Sequence, residues 1–225
     1  RVAINCMFLT TNNWASSLTH WRYAHTSKTI INKPVFFSSM VNFTQLQQEF
    51  AQYDEARERL IKKSRDVLKL SKLIIYAVHR DELDKAAELI KEIETERKEL
   101  EKIAEHSDKM AYEGSYKIAI QEYVEAILYF TFVKTGKLAE FKAQAELFIL
   151  GLCDLPGELV RRAVFLAGKG KVNEVVKIKD MVDTIYGELL RFDFRENEIR
   201  RKVDAVKYEL RKLEDLVLDL KLKKR

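Results

Sequence analysis

The chain has 225 residues, of which 47% are hydrophobic and 33% charged, and its formal net charge is +5. This composition excludes a disordered chain, and no apolar run approaches the roughly 18 to 20 residues that cross a bilayer, so we expect no membrane association. The net charge is no nucleic-acid signature by itself, because residues 1–48 hold four basic residues and no acid, whereas the rest holds 36 basic and 35 acidic residues.

The first forty residues differ in composition from the rest of the chain. They are rich in Asn, Thr, Ser and aromatic residues and have no sustained helical period, and Met40 directly precedes the first regular pattern. We therefore expect residues 1–40 to be an extension that is disordered or not native to the folded protein. Residues 41–225 are expected to form one α-helical domain.

From Val41 onward, apolar residues recur at steps of three or four, which is the period of an amphipathic helix. The pattern predicts a first long helix ending near Val78 and a second helix with Asp81 as its N-cap. The next break is predicted in H-S-D-K-M, with Ser107 as an N-cap. The further predicted helices are one ending near Lys134 and three more over about 138–152, 154–167 and 172–191.

The last predicted helix has a heptad pattern of apolar residues, with alternating steps of four and three. The pattern consists of Ile199, Val203, Val206, Leu210, Leu213, Val217 and Leu220. No strand-like alternation occurs in the domain, so the predicted fold is all-α, an antiparallel bundle of seven helices. The heptad pattern and the very long first helix also predict self-association.

Two glutamates lie inside the most apolar part of the chain. Glu122 and Glu125 are three residues apart, on one side of a helix that is apolar nearly all round from Ile118 to Val133. An unpaired ionised carboxylate in such a place costs several kcal/mol, and two of them repel. A basic partner, a retained proton or a metal ion must therefore compensate.

A second acidic pair follows in G-L-C-D-L-P-G-E-L-V-R-R. Asp154 and Glu158 are four residues apart on one helical face, with Arg161 nearby. Two helices thus each present two carboxylates, which are the hard oxygen ligands that Mg²⁺ or Mn²⁺ prefers. A divalent ion held there can activate water and stabilise charge on a phosphate.

Simpler interpretations remain open at this stage. Asp154 can be an N-cap, with Pro156 in the first turn and Glu158 favoured by the helix dipole. Arg161 can simply neutralise Glu158. The E-x-x-E spacing alone is weak evidence, because it also occurs twice among solvated charges elsewhere in the chain.

Other catalytic chemistry has little support. The four histidines form no E-x-x-H pattern, and no Gly-rich phosphate loop is present. Cys6 and Cys153 match neither a disulfide framework nor a zinc site. We expect Cys153 to be a buried residue in a reducing compartment, the cytoplasm.

The chain resembles the translin family, and specifically the branch of translin-associated factor X and its prokaryotic relatives. Q-E-Y-V-E-A is similar to the glutamate-bearing helix of that family, and G-L-C-D-L-P-G-E-L-V-R-R to its Asp-x-x-x-Glu helix. R-R-K-V-D-A-V-K-Y-E-L-R-K-L-E-D-L-V-L-D-L resembles its C-terminal helix. The resemblance covers about residues 42–222.

The resemblance implies a seven-helix bundle that assembles into a hollow, roughly octameric shell. It also implies a metal-dependent endoribonuclease that cleaves mainly single-stranded RNA, with Mg²⁺ or Mn²⁺ as cofactor. The implied partners are RNA or single-stranded DNA, and either further copies of the chain or a translin-like subunit. The implied catalytic and metal-binding residues are Glu122, Glu125, Asp154 and Glu158, all of which this sequence keeps.

Residues beside the acids are weaker candidates for RNA contacts. Arg161 and Arg162 would contact phosphates, although ion pairing explains each of them as well. Tyr123, Tyr129 and Tyr116 would stack on unpaired bases, although in an apolar helix such residues more often belong to the core.

Three alternatives are kept. One is a translin-like protein that binds RNA or DNA without cleaving it, with structural acids. Another is an all-α nucleoside-triphosphate pyrophosphohydrolase, whose second acidic pair is usually E-x-x-D rather than the reversed, longer spacing found here. The last is a helical scaffold that assembles through the heptad pattern of the final helix.

Overall fold

The computed structural model describes residues 41–105 and 107–223, so the expectation for residues 1–40 lies outside it. The described residues form helices and no strand, which confirms the all-α prediction. Residues Thr44–Arg225 form one compact unit. The helices are α1 (Phe43–His79), α2 (Leu83–Ala104), α3 (Asp108–Ala111), α4 (Gly114–Thr135), α5 (Ala145–Gly168), α6 (Val172–Leu189) and α7 (Asn197–Leu222).

Helix α4 is buried on nearly every side because its sequence is apolar all round. Twelve of its residues are buried, and α2, α3 and α5 pack against it. It ends at Gly136, whose φ of 74° is the left-handed conformation that suits glycine at a helix C-terminus. Ser107 caps the short α3 as the sequence predicted, since its side chain accepts a hydrogen bond from the Lys109 amide.

Helix α5 differs from the prediction, which divided this segment into helices over 138–152 and 154–167. The chain is one helix from Ala145 to Gly168, with Pro156 inside it. Proline removes a single backbone hydrogen bond there, and packing of α5 against α4, α6 and α7 offsets this cost. Asp154 is consequently an interior helical residue and not an N-cap.

The connection between α1 and α2 also differs in detail. Asp81 was predicted to cap α2, but Glu82 precedes the first helical residue. Asp81 has a φ of 62°, a left-handed conformation that aspartate tolerates better than most residues. Its carboxylate instead forms an ion pair with Arg162, whose Nη1 lies 2.7 Å from the Asp81 Oδ1. This ion pair links the turn to α5.

The heptad pattern of α7 faces the interior of its own chain. Six of its seven residues, from Ile199 to Val217, are buried where α7 packs on α5 and α6. The scaffold alternative, in which this surface joins separate chains, is therefore wrong for these six residues. The pattern predicted the helix and its apolar face correctly, but it could not distinguish a partner helix in the same chain from one in another chain.

Candidate acidic site

The first acidic pair lies on α4 at the bundle interior. Glu125 is only 8% exposed, and among the charged residues that the structure describes it alone is buried. Glu122 is half-buried. Neither carboxyl group makes a hydrogen bond or ion pair with a described residue. The burial of Glu125 agrees with the prediction for this helix, whereas the basic partner that the sequence allowed makes no direct contact within the described ranges.

Burial and neighbouring acids shift the titration of both groups. Burial, followed by the charges of Asp154, Glu122 and Glu158, raises the pKa of Glu125 to about 8, with Lys202 acting in the opposite direction. The pKa of Glu122 is also raised, chiefly by burial, with Lys72 acting in the opposite direction. Asp154 and Glu158 of α5 therefore lie close enough to Glu122 and Glu125 of α4 for their charges to raise the pKa of both.

Helices α4 and α5 can approach closely at this point because of Gly151. A Cβ atom there would lie 2.6 Å from the Gln121 carbonyl oxygen and 2.7 Å from the Val124 Cβ. Only glycine therefore fits between the helices one turn before Asp154. This close packing brings the two acidic pairs together.

Asp154 is paired with a cation from α7. The Lys202 Nζ lies 2.5 Å and 2.7 Å from the two Asp154 carboxylate oxygens, and the Gln121 amide donates to the same carboxylate at 2.5 Å. Lys202 thereby supplies positive charge at the centre of the site. Its two ion-pairing contacts fix Asp154 at the junction of α4, α5 and α7.

Glu158 is paired with His79 at the end of α1. The His79 Nε2 donates to the Glu158 carboxylate, and the His79 Nδ1 lies 3.0 Å from the Tyr129 hydroxyl. The hydrogen bond with His79 lowers the pKa of Glu158, against the opposing effect of burial. Arg161 adds a longer contact, 3.7 Å from the Glu158 carboxylate.

The donor set can be tested for a divalent cation. In the described ranges, no three His, Cys, Asp or Glu side chains lie close enough together to hold a metal ion. The chemistry fits nevertheless, because Glu122 and Glu125 offer carboxylate oxygens with no partner of their own. Asp154 and Glu158, by contrast, contact cations or donors of the same chain.

The structure brings the four predicted acids to one region, but it places the weaker candidates differently. Tyr123 and Tyr129 are 3% and 0% exposed, so neither ring offers a face to a base. The Tyr123 hydroxyl donates to Glu94, and burial raises the pKa of both phenols. Their positions agree with the core role that the sequence also allowed, as does that of Tyr116.

The two arginines differ in exposure and in their partners. Arg161 is 62% exposed and forms an ion pair with Glu158. Arg162 is 11% exposed, pairs with Asp81 and donates to the Val78 carbonyl oxygen at 3.1 Å. Arg162 therefore holds α5 to the end of α1, and ion pairing describes both residues.

Three site residues were missed by sequence reasoning: His79, Gln121 and Lys202. His79 and Lys202 lie 79 and 48 positions from the acids that they contact. Nothing local in the sequence indicates such pairs. Gln121 had a weak signal, since it directly precedes Glu122 in the Q-E-Y-V-E-A motif. Cys153 is buried, and burial raises the pKa of its thiol to about 12, in agreement with the predicted core role.

No described helix is long and apolar enough to span a membrane.

Comparison with curated proteins gives similar chains in archaea and eukaryotes. An uncharacterised protein of Methanocaldococcus jannaschii is 28% identical over 161 residues, covering 68% of this chain and 71% of that protein. Translin-associated protein X of Pongo abelii is 25% identical over 231 residues, covering 82% and 79%.

Solved structures share the fold. Apo-NeC3PO matches with a TM-score of 0.75 and 24% identity, covering 81% of this chain and 99% of that one. AfC3PO in complex with duplex RNA matches with a TM-score of 0.65 and 20% identity, covering 81% and 98%. At these identities the likeness shows the common architecture. The Translin family profile matches residues 55–148 and 139–224, and the chain therefore belongs to the Translin family.

Proposed function

We propose that this protein is a divalent-cation-dependent endoribonuclease whose active site is the acidic site between α4 and α5. The observation that carries the proposal is the pair of unpartnered carboxyl groups on α4, Glu122 and Glu125, facing the acids of α5. Buried carboxyl groups without partners destabilise the fold, so we infer that they are present for another purpose. Binding Mg²⁺ or Mn²⁺ is the purpose that fits oxygen donors.

The residues divide into two roles. Glu122 and Glu125 would hold the cation. Asp154 would join them after the cation displaces Lys202 from its carboxylate, because no three of these side chains lie close enough together in the described structure. When bound, such a cation lowers the pKa of water and offsets negative charge on a phosphate. Glu158, kept ionised and oriented by His79, is the carboxylate that accepts a proton. Tyr129 fixes the ring of His79 through the other nitrogen.

RNA is the proposed substrate because of the relatives. A solved structure with this fold, AfC3PO, holds duplex RNA, and the curated relatives include translin-associated protein X. The sequence resemblance implies mainly single-stranded RNA, so both forms belong in the test. Assembly into a homo-oligomer, or with a translin-like subunit, is part of the same proposal.

The test uses end-labelled single-stranded and duplex RNA with purified full-length protein, in EDTA and in Mg²⁺ or Mn²⁺. We expect cleavage only with the divalent ion, and a fall of at least about 100-fold in rate for Glu122→Gln, Glu125→Gln and Asp154→Asn. Glu88→Gln, at an exposed position of α2, is the matched control and should retain the wild-type rate.

Each contrary result has a defined meaning. Wild-type rates in the acid variants, with the oligomer unchanged by light scattering, would reject the site. RNA binding without cleavage under any ion would support the alternative of a binding protein with structural acids. Pyrophosphate release from dNTPs, measured in parallel, would support the pyrophosphohydrolase alternative, although that enzyme belongs to another family.

A further inference from the structure

The second half of α1 has a local excess of positive charge. The nearly balanced composition of the whole domain does not reveal it. From Arg59 to its end at His79, the helix contains six lysines or arginines and a single acid, Asp66, and Arg80 follows directly. The chain from residue 49 onward is almost neutral, so a basic surface must be concentrated in such segments. This half of α1 is the place where the structure puts one.

Three of these cations form a continuous stripe. Arg65, Lys69 and Lys72 follow one another at steps of four and three, so they lie on one face of the helix. All three are exposed, and together with Leu68, Leu73 and Tyr76 they line one shallow groove.

The charges of this stripe have no ion-pair partner in the part of the chain that the structure describes. Arg65, Lys69 and Lys72 make no ion pair with any residue that the structure describes. Lys63, on a different face of the same helix, shows the contrast, since its Nζ lies 2.7 Å from Glu96 and 2.6 Å from Glu99. The stripe therefore offers unpaired positive charge to a partner.

The stripe also leads to the acidic site. Lys72, its last member, is near enough to Glu122 to lower the pKa of that carboxyl group. Beyond it lies Tyr76, whose ring is 54% exposed and has the Arg80 guanidinium 5.7 Å from its centroid. An exposed aromatic ring next to a row of cations is the combination that holds single-stranded nucleic acid.

We propose that Arg65, Lys69 and Lys72 bind consecutive backbone phosphates of RNA and position the strand for the acidic site. The inference rests on the proposed function for its substrate. A polyanion with evenly repeated charges matches a row of unpaired cations at helical spacing, and such contacts position a strand without reading its sequence. The three residues are positioning residues, since they do not reach the reacting atoms.

The test measures the affinity for a labelled single-stranded RNA in EDTA, where cleavage does not run, at several salt concentrations. The variant is R65Q/K69Q/K72Q. The matched control is K91Q/K98Q/K102Q, which removes three exposed lysines at steps of seven and four from α2. Each phosphate contact with a single strand contributes about 0.7 to the slope of log affinity against log salt.

We expect the slope of the stripe variant to fall by about 2 relative to wild type, and that of the control to stay unchanged. The single variant K69Q should lose about 0.7 of the slope. In Mg²⁺ or Mn²⁺, the stripe variant should show a raised KM and a nearly unchanged kcat, because positioning is lost and the acids remain.

The outcomes separate this inference from the proposed function. Normal RNA cleavage with an unchanged salt slope in the stripe variant would reject the inference alone. Stripe-dependent binding without cleavage would reject the nuclease and retain the inference. The inference would also be overturned if R65Q/K69Q/K72Q kept the wild-type salt slope but formed a smaller oligomer. The stripe would then bind an acidic surface of another subunit.

Discussion

At the scale of single residues, Glu125 has the most unusual environment. Its folded-state pKa of about 8 lies well above the ordinary value of 4.5, so in the absence of a cation it keeps its proton at neutral pH. Between pH 4.5 and pH 8 the Glu125 carboxyl group is ionised in the unfolded chain and protonated in the folded chain. The contribution of Glu125 to the free energy of unfolding of the metal-free protein therefore falls as the pH rises from about 4.5 to 8.

We predict that Glu125→Gln stabilises the protein in EDTA, by about 2–4 kcal/mol at pH 8 and by almost nothing at pH 4.5. The glutamine is neutral at every pH and so avoids the cost of burying a carboxylate. Urea unfolding curves at both pH values give the measurement, with Glu88→Gln as the control. A gain that is independent of pH, or a loss at pH 8, would contradict the raised pKa.

Glu158 presents the opposite case. Its pKa is lowered chiefly by the hydrogen bond from His79, so the pair contributes stability at pH values above 4.5 and loses it as the pH falls through the folded-state pKa. Glu158→Gln should cost about 1–3 kcal/mol at pH 7 and much less near pH 3.

A double-mutant cycle with His79→Gln identifies the cause of that loss. If the pair acts as a unit, the double variant should be less destabilised than the sum of the single variants. Strict additivity would show that each residue acts independently, and the assignment of His79 to the site would then be wrong.

At the scale of elements, the contact between α4 and α5 determines whether the acids meet. Gly151 allows this contact because the Gln121 carbonyl oxygen and Val124 occupy the space where a side chain would begin. The sequence shows only a glycine in an apolar stretch, next to the predicted break between the helices over 138–152 and 154–167. The tertiary packing explains it instead as a point of close approach.

We predict that Gly151→Ala destabilises the protein by about 1–3 kcal/mol, because the added Cβ forces α4 and α5 apart. Gly157→Ala is the matched control on the same helix. Nothing lies within 4 Å of a Cβ at that position, so alanine should stabilise the helix by about 0.5–1 kcal/mol. Thermal unfolding of both variants gives the comparison, and equal effects would refute the close-packing role.

At the scale of the whole molecule, cation binding and folding should be linked. A divalent ion that binds only the folded chain stabilises it by about 2.7 kcal/mol at a concentration one hundred times its Kd. Since Glu125 must lose its proton to act as a ligand, the stabilisation should be larger at pH 8 than at pH 6.

We therefore expect Mn²⁺ to raise the Tm of the wild-type protein and to leave that of Glu122→Gln/Glu125→Gln unchanged. Differential scanning calorimetry at both pH values measures this without reference to enzymatic activity. The same rise in Tm in both proteins would place the cation elsewhere, and no rise in either would remove the metal from the proposed function.

The sequence by itself determined the features that depend on local periodicity. The helical class, the apolar face of α7 and the same-side placement of Glu122 with Glu125 all follow from the 3.6-residue turn, which each segment carries within itself. The apolar surroundings of this pair predicted burial, which is confirmed for Glu125, whereas Glu122 is half-buried.

Only the tertiary structure decided which segments meet. The continuity of α5 through Pro156, the inward direction of the α7 heptad pattern, and the pairing of His79 with Glu158 and of Lys202 with Asp154 depend on the packing of helices distant in sequence. A helical period specifies which residues share a face, but not what that face contacts. Contacts between helices arise from the shapes and charges of both surfaces, which no single segment contains.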